Sequence, residues 1–292
     1  MEHAIQGAYA ALSDRQLALL AAKIRLDELE MVFRADSGHI GGSLSATDVL
    51  TALYFTEMRI DPERPDWAER DRLVLSKGHC TPALYSVLAR RGFFPREELS
   101  GFRRADSRLS GHAEYHVPGV DMSTGSLGQG FSAAVGMALA NRSDQRAARV
   151  FALVGDGEMQ EGQIWEAAMC AAHYRLGRLV LILDNNDLQI DGRVGDIMNV
   201  YPIEEKFRAF GWAVQTIDGH DFSQIRRALE GTRTAGDRPQ CIVAKTIKGR
   251  GISFMEDDGK WHGETPNREE YERGRQELCR RIQELEQEVR GE

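Results

Sequence analysis

Two short turns carry the residue types best suited to holding a charged ligand. Gly155-Asp156-Gly157 sets a carboxylate between glycines, and Asp184-Asn185-Asn186 supplies further hard oxygen donors one βα unit later. Backbone N–H groups at a glycine-rich turn before a helix approach a phosphate closely, but an aspartate beside a phosphate repels it. A divalent cation between the two removes the conflict, and Mg²⁺ or Ca²⁺ takes oxygens of this kind. The pattern therefore predicts a metal-bridged diphosphate. Two other readings stay open. A dinucleotide site would use Asp184 as its ribose-binding acid, although Gln160 stands where the third glycine belongs. The bland reading is a pair of ordinary turns in an α/β domain.

The elements around these turns set where they fall. Residues 150–154 and 179–183 are apolar, β-favouring runs, and 164–173 between them has helical spacing, which predicts a βαβ unit with both strands buried. Ligands of parallel sheets bind beyond the carboxyl ends of the strands, where both turns then lie. Upstream, Ser13 is a candidate N-cap for an amphipathic helix reaching about Arg34. A glycine-bearing loop over 36–43 holds His39 and precedes a helix expected from about Ser45 to Met58. A strand over 72–76 ends in Lys77-Gly78-His79, and a helix over 81–91 follows. Residues 101–118 are irregular and contain His112 and His116, and the small-residue stretch 123–130 opens a helix over 131–140.

Helices over 203–210 and 222–233 alternate with strands over 213–217 and 241–246. The glycine-rich loop 245–266 contains His262, and loops of that length are usually functional or mobile. Residues 267–290 read as a charge-dense helix, solvated or facing a partner. The alternation predicts an α/β fold, with a mostly parallel central sheet flanked by helices, as a single domain over 1–292.

Lysine and arginine number 37 against 45 aspartates and glutamates, a formal charge of -8 with no dominant block of either sign. That balance argues against a nucleic-acid footprint or a polybasic membrane patch. Cys80, Cys170, Cys241 and Cys279 form no paired motif and read as reduced thiols. The N-terminus lacks a basic, apolar leader, and no run of about 18 apolar residues occurs, so a soluble cytoplasmic protein is expected.

The sequence resembles the N-terminal, diphosphate-binding half of transketolase over nearly its whole length. The residues that carry the resemblance are Ser37-Gly38-His39 with Gly41-Gly42, the run 70–79 ending in Lys77-Gly78-His79, Gly111-His112, the run 124–130, the 155–186 thiamine diphosphate motif, and Lys245-Thr246 with His262-Gly263. The thiamine motif is shared by many enzymes, whereas the histidine set is much more specific. The resemblance implies a thiamine diphosphate-binding domain, with Mg²⁺ (or Ca²⁺ or Mn²⁺ in its place) held by Asp156, Asn186 and the Leu188 carbonyl. Two diphosphate oxygens and a water would complete an octahedron. It further implies His79, Gly157 and His262 at the diphosphate, Gly125 and Leu127 at the aminopyrimidine, Ile190 against the thiazolium, and Glu161 and Glu166 at a subunit contact linking cofactor sites.

His39, His79, His112 and His262 would line the channel above the thiazolium as catalytic residues. Histidine suits proton transfer to sugar hydroxyls because both its forms are ordinarily accessible near neutral pH. His3, His116, His173 and His220 match nothing and are read as ordinary histidines. The implied reaction is transfer of a two-carbon ketol unit from a ketose phosphate to an aldose phosphate, as in the pentose phosphate pathway, with the cofactor as electron sink.

Transketolases continue for roughly as many residues again, through a pyrimidine-binding domain that carries the cofactor-activating glutamate and through a C-terminal domain. The expectation is therefore the N-terminal subunit of a split transketolase, active only with a separate C-terminal subunit, as an α₂β₂ assembly. The rival readings are the α-subunit of a 2-oxo-acid dehydrogenase decarboxylase, a split transketolase-type enzyme for an unusual (branched or sulfonated) ketose, and a cofactor-free regulatory relative.

Overall fold

The computed structural model describes residues 12–190, 192–234 and 236–291. Residues 1–11 of the N-terminal stretch read for a leader lie outside these residues, His3 among them. Helix α1 (Asp14–Ala35) starts on a reciprocal cap: the Ser13 hydroxyl accepts the Gln16 amide at 3.2 Å, and the Ser13 amide donates to the Gln16 side chain at 2.8 Å. Helix α2 (Ile40–Ala52) follows and ends in a π turn, Leu53–Glu57.

The expected loop over 36–43 is thus shorter than its glycines suggested, because Gly41, Gly42 and Ser43 are helical. Every residue of α2 is buried, so it lacks the polar face that would have marked its start. A Cβ on Gly41 would lie 2.7 Å from the Trp261 carbonyl oxygen. The glycine there permits close packing rather than a turn.

The chain continues through β1 (Arg72–Leu75), α3 (Thr81–Arg91), α4 (Gln129–Ser143), β2 (Val150–Gly155), α5 (Gly162–His173) and β3 (Leu179–Asn185). A small hairpin, β4 (Leu188–Gln189) with β5 (Gly192–Arg193), leads into α6 (Val194–Ile197) and α7 (Ile203–Ala209). Then come β6 (Ala213–Asp218), α8 (Phe222–Gly231), β7 (Gln240–Lys245) and α9 (Arg268–Arg290). The main sheet has the order β1-β2-β3-β7-β6, and all its pairings are parallel. Its register sets Gly155 beside Asp184 and Asp184 beside Ala244, so the carboxyl ends of β2, β3 and β7 lie level.

Both faces of the sheet are covered. Leu73, Phe151, Leu153, Val180, Ile182 and Ile242 point into a core shared with α1, α2, α3 and α8, while Val74, Ala152, Val154, Leu181, Leu183 and Val243 face α4, α5 and α7. Alternate residues of each strand therefore enter different cores, which accounts for the unbroken apolar runs. The charge-dense C-terminal helix has a buried stripe, Tyr271, Gly274, Leu278 and Leu285, at helical spacing. Tyr271 stacks on Phe33 of α1 with ring centroids 4.0 Å apart. One face of α9 is thus packed against the domain, a feature hidden by its high charge content. Among the described residues no helix is long and apolar enough to cross a membrane, and all four cysteines are free.

Glu28 of α1 is fully buried, accepts one bond from the Thr47 hydroxyl at 2.8 Å and leaves its second oxygen without a partner among the described residues. Burial pushes its carboxyl up to about 8. A raised folded value means the native chain keeps a proton that the unfolded chain has lost, so this group's contribution falls as pH rises from its unfolded value toward 8. Glu28→Gln mimics the protonated acid, and its melting temperature should match the parent near pH 5 and exceed it at pH 8.5. The gain should approach a few kcal/mol, at roughly 1.4 kcal/mol for each tenfold change in proton affinity.

Candidate functional site

The level strand ends gather the predicted turns. Asp156 follows β2 with 2% of its surface exposed, and its carboxylate accepts N–H bonds from Gly157 at 2.8 Å, the Asn185 side chain at 2.9 Å and Asp187 at 2.5 Å. Burial is the main cause that raises its carboxyl to about 6, with Asp184 adding to the shift. No cationic side chain pairs with it among the described residues. Asp187 takes a left-handed conformation (φ 62°) that turns the chain into the β4–β5 hairpin, and the Asn186 side-chain oxygen accepts the Leu188 amide at 3.1 Å.

The second turn divides its labour in a way the sequence did not reveal. Asp184 is engaged elsewhere: it pairs with buried Lys77 and accepts from Ser45 at 2.6 Å and from Thr246. Asn185 spans Asp156 and the Tyr201 hydroxyl. The oxygens that the resemblance implies for a metal, those of Asp156, Asn186 and the Leu188 carbonyl, lie in these two turns, and each accepts an N–H bond in the ligand-free chain. Among the described residues no group of three or more His, Cys, Asp or Glu could hold a metal. A set with one carboxylate suits an ion that takes its remaining ligands from a bound diphosphate.

The histidines predicted from four separate segments converge here. His39 lies just before α2, His79 after β1, His112 in the irregular segment and His262 in the loop after β7. Ring centroids are 4.8 Å apart for His39 and His79, 5.5 Å for His39 and His262, 5.3 Å for His79 and His262, and 6.4 Å for His39 and His112. Burial, then nearby cations, holds them below the ordinary imidazole value. For His39 the further causes are Arg103, His112 and Lys248, and it falls to about 4. His262 falls to about 3, with Lys248 the next cause after burial, and His79 is lowered well below the ordinary range by burial and Lys77. His112 is lowered by burial and Arg103. The charged form of each is therefore less accessible in the ligand-free chain than the ordinary imidazole value suggests. The Nδ1 of His39 is buried without a hydrogen-bond partner among the described residues, a polar atom left free for a ligand.

The remaining predicted residues surround this cluster unevenly. A Cβ on Gly125 would lie 3.4 Å from His112, and Gly157 packs under Gln189. Gly78 is obligatory, since a Cβ there would come within 2.5 Å of the Thr124 hydroxyl and 2.9 Å of the Gly125 amide. Leu127 is half-buried, Ile190 is 70% exposed, and Glu161 and Glu166, at the N-cap and in the first half of α5, are exposed. His116 and His173 are exposed, and His220 is enclosed in a polar network.

Lys248 and Glu158, beside these residues, escaped the sequence reading, and Lys77 was marked only as part of a strand-end motif. Lys248, 2% exposed, donates to the Leu188 carbonyl at 3.0 Å and lies 3.0 Å from the His262 Nδ1. Burial and Lys77 hold its amine down at about 8. Lys77 also donates to the Gly42 carbonyl at 3.0 Å. Glu158 accepts from Ser76 at 2.5 Å and from the Gly128 and Gly155 amides, tying the 124–130 loop to the β2 turn. Position just past β1 and β7 was the available signal for the lysines, but a lone lysine in a loop is ordinarily solvated.

A parallel sheet whose carboxyl edge presents an aspartate turn, an asparagine turn and convergent histidines defines a diphosphate-binding α/β domain. The chain matches the profile "Transketolase, thiamine diphosphate binding domain" over residues 17–286, and it belongs to that family. It is 50% identical over 248 residues to a 6-deoxy-6-sulfo-D-fructose transketolase subunit of a Clostridium species, covering 84% of this chain and 90% of that protein. It is 42% identical to an apulose-4-phosphate transketolase subunit from Phocaeicola vulgatus, covering 94% and 98%. Human transketolase is 39% identical over 90% of this chain, which spans 42% of that protein. Among solved structures, transketolase from Campylobacter jejuni superposes with a TM-score of 0.85 at 34% identity, covering 90% of this chain and 43% of that one.

Proposed function

We propose that this chain is the diphosphate-binding subunit of a split transketolase-type enzyme, which moves a two-carbon ketol unit from a ketose to an aldose. The observation that carries the reading is the cluster of His39, His79, His112 and His262 beside the Asp156–Asn186 turns at one sheet edge. Relatives named as transketolase subunits match this chain over nine-tenths or more of their own length, which supports a separate partner subunit; the assembly we propose is α₂β₂. Both cores share one sheet, which supports reading 1–292 as one domain. The family match weighs against the 2-oxo-acid dehydrogenase and cofactor-free readings.

Thiamine diphosphate, when bound, supplies the electron sink for the carbon–carbon step. Asp156, Asn186 and the Leu188 carbonyl would hold Mg²⁺. His79, His262 and the Gly157 amide would meet the diphosphate, with buried Lys248 offsetting its charge. Gly125 and Leu127 would face the aminopyrimidine and Ile190 the thiazolium, while Glu161 and Glu166 would meet a second subunit. In their neutral forms His39, His79, His112 and His262 would each offer a sugar hydroxyl one ring nitrogen as hydrogen-bond acceptor and the other as donor, the arrangement from which they would serve as catalytic residues. Two relatives of matching length are named for a sulfonated ketose and for apulose 4-phosphate, which favours a sugar of that unusual kind over pentose phosphate pathway substrates.

The test is to purify the chain, add a separately expressed C-terminal subunit, and assay ketol transfer from 6-deoxy-6-sulfofructose, apulose 4-phosphate and a linear ketose phosphate. No turnover by the chain alone and turnover on mixing are expected, fastest with one of the first two sugars. Full activity of the lone chain, or acylation of a lipoyl domain without sugar transfer, would sink the proposal.

A further inference from the structure

His220 enters the sequence as an ordinary loop histidine, yet its side chain is 8% exposed and both ring nitrogens are engaged. Nε2 accepts the Ile247 amide at 2.9 Å, so that nitrogen carries no proton, and Nδ1 donates to Asp48 Oδ2 at 2.7 Å. Asp48 is in turn gripped by both terminal nitrogens of Arg25, at 2.8 and 2.7 Å. Burial works to raise the Asp48 carboxyl, but Arg25 and the His220 bond hold it at about 2, so it remains a charged acceptor. The result is a buried relay of hydrogen bonds from α1 through α2 and the end of β6 to the segment leaving β7.

The local backbone is arranged for this reach. Gly219 donates to the Lys245 carbonyl at 2.8 Å, and a Cβ on it would fall 2.5 Å from the Thr246 methyl. Asp218 accepts the His220 amide at 2.9 Å, fixing the turn that aims the ring. The bonded amide belongs to Ile247, which lies between Thr246, a donor to Asp184, and Lys248, whose amine meets the Leu188 carbonyl and His262. A buried lysine on four flexible bonds keeps one position only if its backbone is held.

We infer that His220 is a positioning residue: with Asp48 and Arg25 behind it, it holds the 246–248 segment so that the Lys248 amine stays enclosed against Leu188 and His262. The ring touches neither the histidine cluster nor the oxygen set. Its influence on cofactor binding rests on the reading of the site proposed above, whereas its hold on Lys248 does not.

Two variants separate the two ring contacts. The carboxamide oxygen of His220→Gln reaches the Nε2 position and can still accept the Ile247 amide. His220→Asn stops at the Nδ1 position and leaves that amide unpaired. In the full chain without ligand, acylation of Lys248 by acetic anhydride at fixed pH should rise about tenfold in His220→Asn, as expected when one buried bond is lost, and less than about threefold in His220→Gln. Half-exposed Lys23 serves as the internal reference. Equal labelling of Lys248 in parent and His220→Asn overturns the inference, as does an equal rise in both variants, which would mean general loosening. Calorimetry with thiamine diphosphate and Mg²⁺ on the partner complex then reads the downstream effect. Weaker binding in His220→Asn, restored in His220→Gln, supports the link to the site. Raised labelling with unchanged binding keeps the positioning of Lys248 and overturns that link.

Discussion

Asp156→Ala is expected to abolish Mg²⁺-dependent binding of thiamine diphosphate while leaving the chain folded. Asp156 is the one carboxylate in the proposed oxygen set, and the other two donors, Asn186 and the Leu188 carbonyl, are neutral. Removing it takes away the anionic ligand, so the affinity loss should exceed the roughly tenfold to hundredfold that follows loss of an outer partner in a metal site. In the ligand-free chain two effects oppose each other. The variant strands the N–H donors of Gly157, Asn185 and Asp187, but it also removes a buried carboxylate that burial has pushed up to about 6.

The raised value fixes the sign of two pH effects. Without ligand, the folded chain binds this proton more tightly than the unfolded chain, so the group's contribution to stability falls as pH rises toward 6 and stays reduced above it. Metal must displace the same proton, so Mg²⁺-dependent binding should weaken as pH falls below about 6. Asp156→Asn is not a gentle control, because its amide would face the donors of Asn185 and Asp187. Calorimetry with thiamine diphosphate on the partner complex, beside thermal melts of the chain alone, decides the matter. Retained metal-dependent binding in Asp156→Ala would remove Asp156 from the proposed set.

Lys77→Met should be the most destabilising single change at the site. Lys77 and Asp184 are 3% and 1% exposed, and they pair directly. Breaking a buried pair from one side costs about 3–5 kcal/mol, since the remaining charge keeps its desolvation cost and loses its partner. Asp184 would be left with Ser45, Thr246 and a long contact from Asn186 at 3.3 Å. At about 2–4 °C per kcal/mol for chains somewhat smaller than this one, the melting temperature should fall by roughly 10 °C.

The pH dependence separates this from a simple packing loss. Burial alone would raise Asp184, but Lys77 together with the Ser45 and Thr246 hydroxyls outweighs it and its carboxyl lies below the usual value, while Lys77 lies above its own. The pair's contribution is therefore fully present between the two unfolded values, roughly pH 4 to 10. In Lys77→Met the unpaired carboxylate can take up a proton as pH falls, so the deficit should shrink from pH 8 toward pH 5. A deficit independent of pH would mean that the lost volume, and not the charge, dominates. Lys77→Met combined with Asp184→Asn should recover part of the loss.

Much of the architecture was legible because its signals are local. Ser13 and Gln16 form the cap that their spacing suggested, Thr81–Arg91 is the expected helix, and the β2–α5–β3 unit falls within a residue or two of its apolar runs. Helix α2 was misplaced because a helix buried on every side shows no amphipathic period, and its glycines read as a loop. Helix α9 looked solvated because four buried positions are diluted among charged ones. Asp156, Asn186 and the four histidines could be singled out because their turns carry glycines and match a known family. Lys248, Glu158 and His220 could not, and Lys77 stood out only as part of a motif without a role, since each gains its meaning from a partner distant in the chain.

The sequence by itself determined the order of strands and helices, the glycine-bounded carboxylate and the histidine-bearing loops, all of which depend on periodicity and turn chemistry over a few residues. The tertiary structure decided what those parts do together. Parallel pairing in the order β1-β2-β3-β7-β6 levels the ends of β2, β3 and β7, pairs Asp184 with Lys77, and half-buries His39, His79 and His262 near cations, which together disfavour their charged forms. Strand register, burial and the field of neighbouring charges arise from contacts between distant segments, and no local pattern in the chain encodes them.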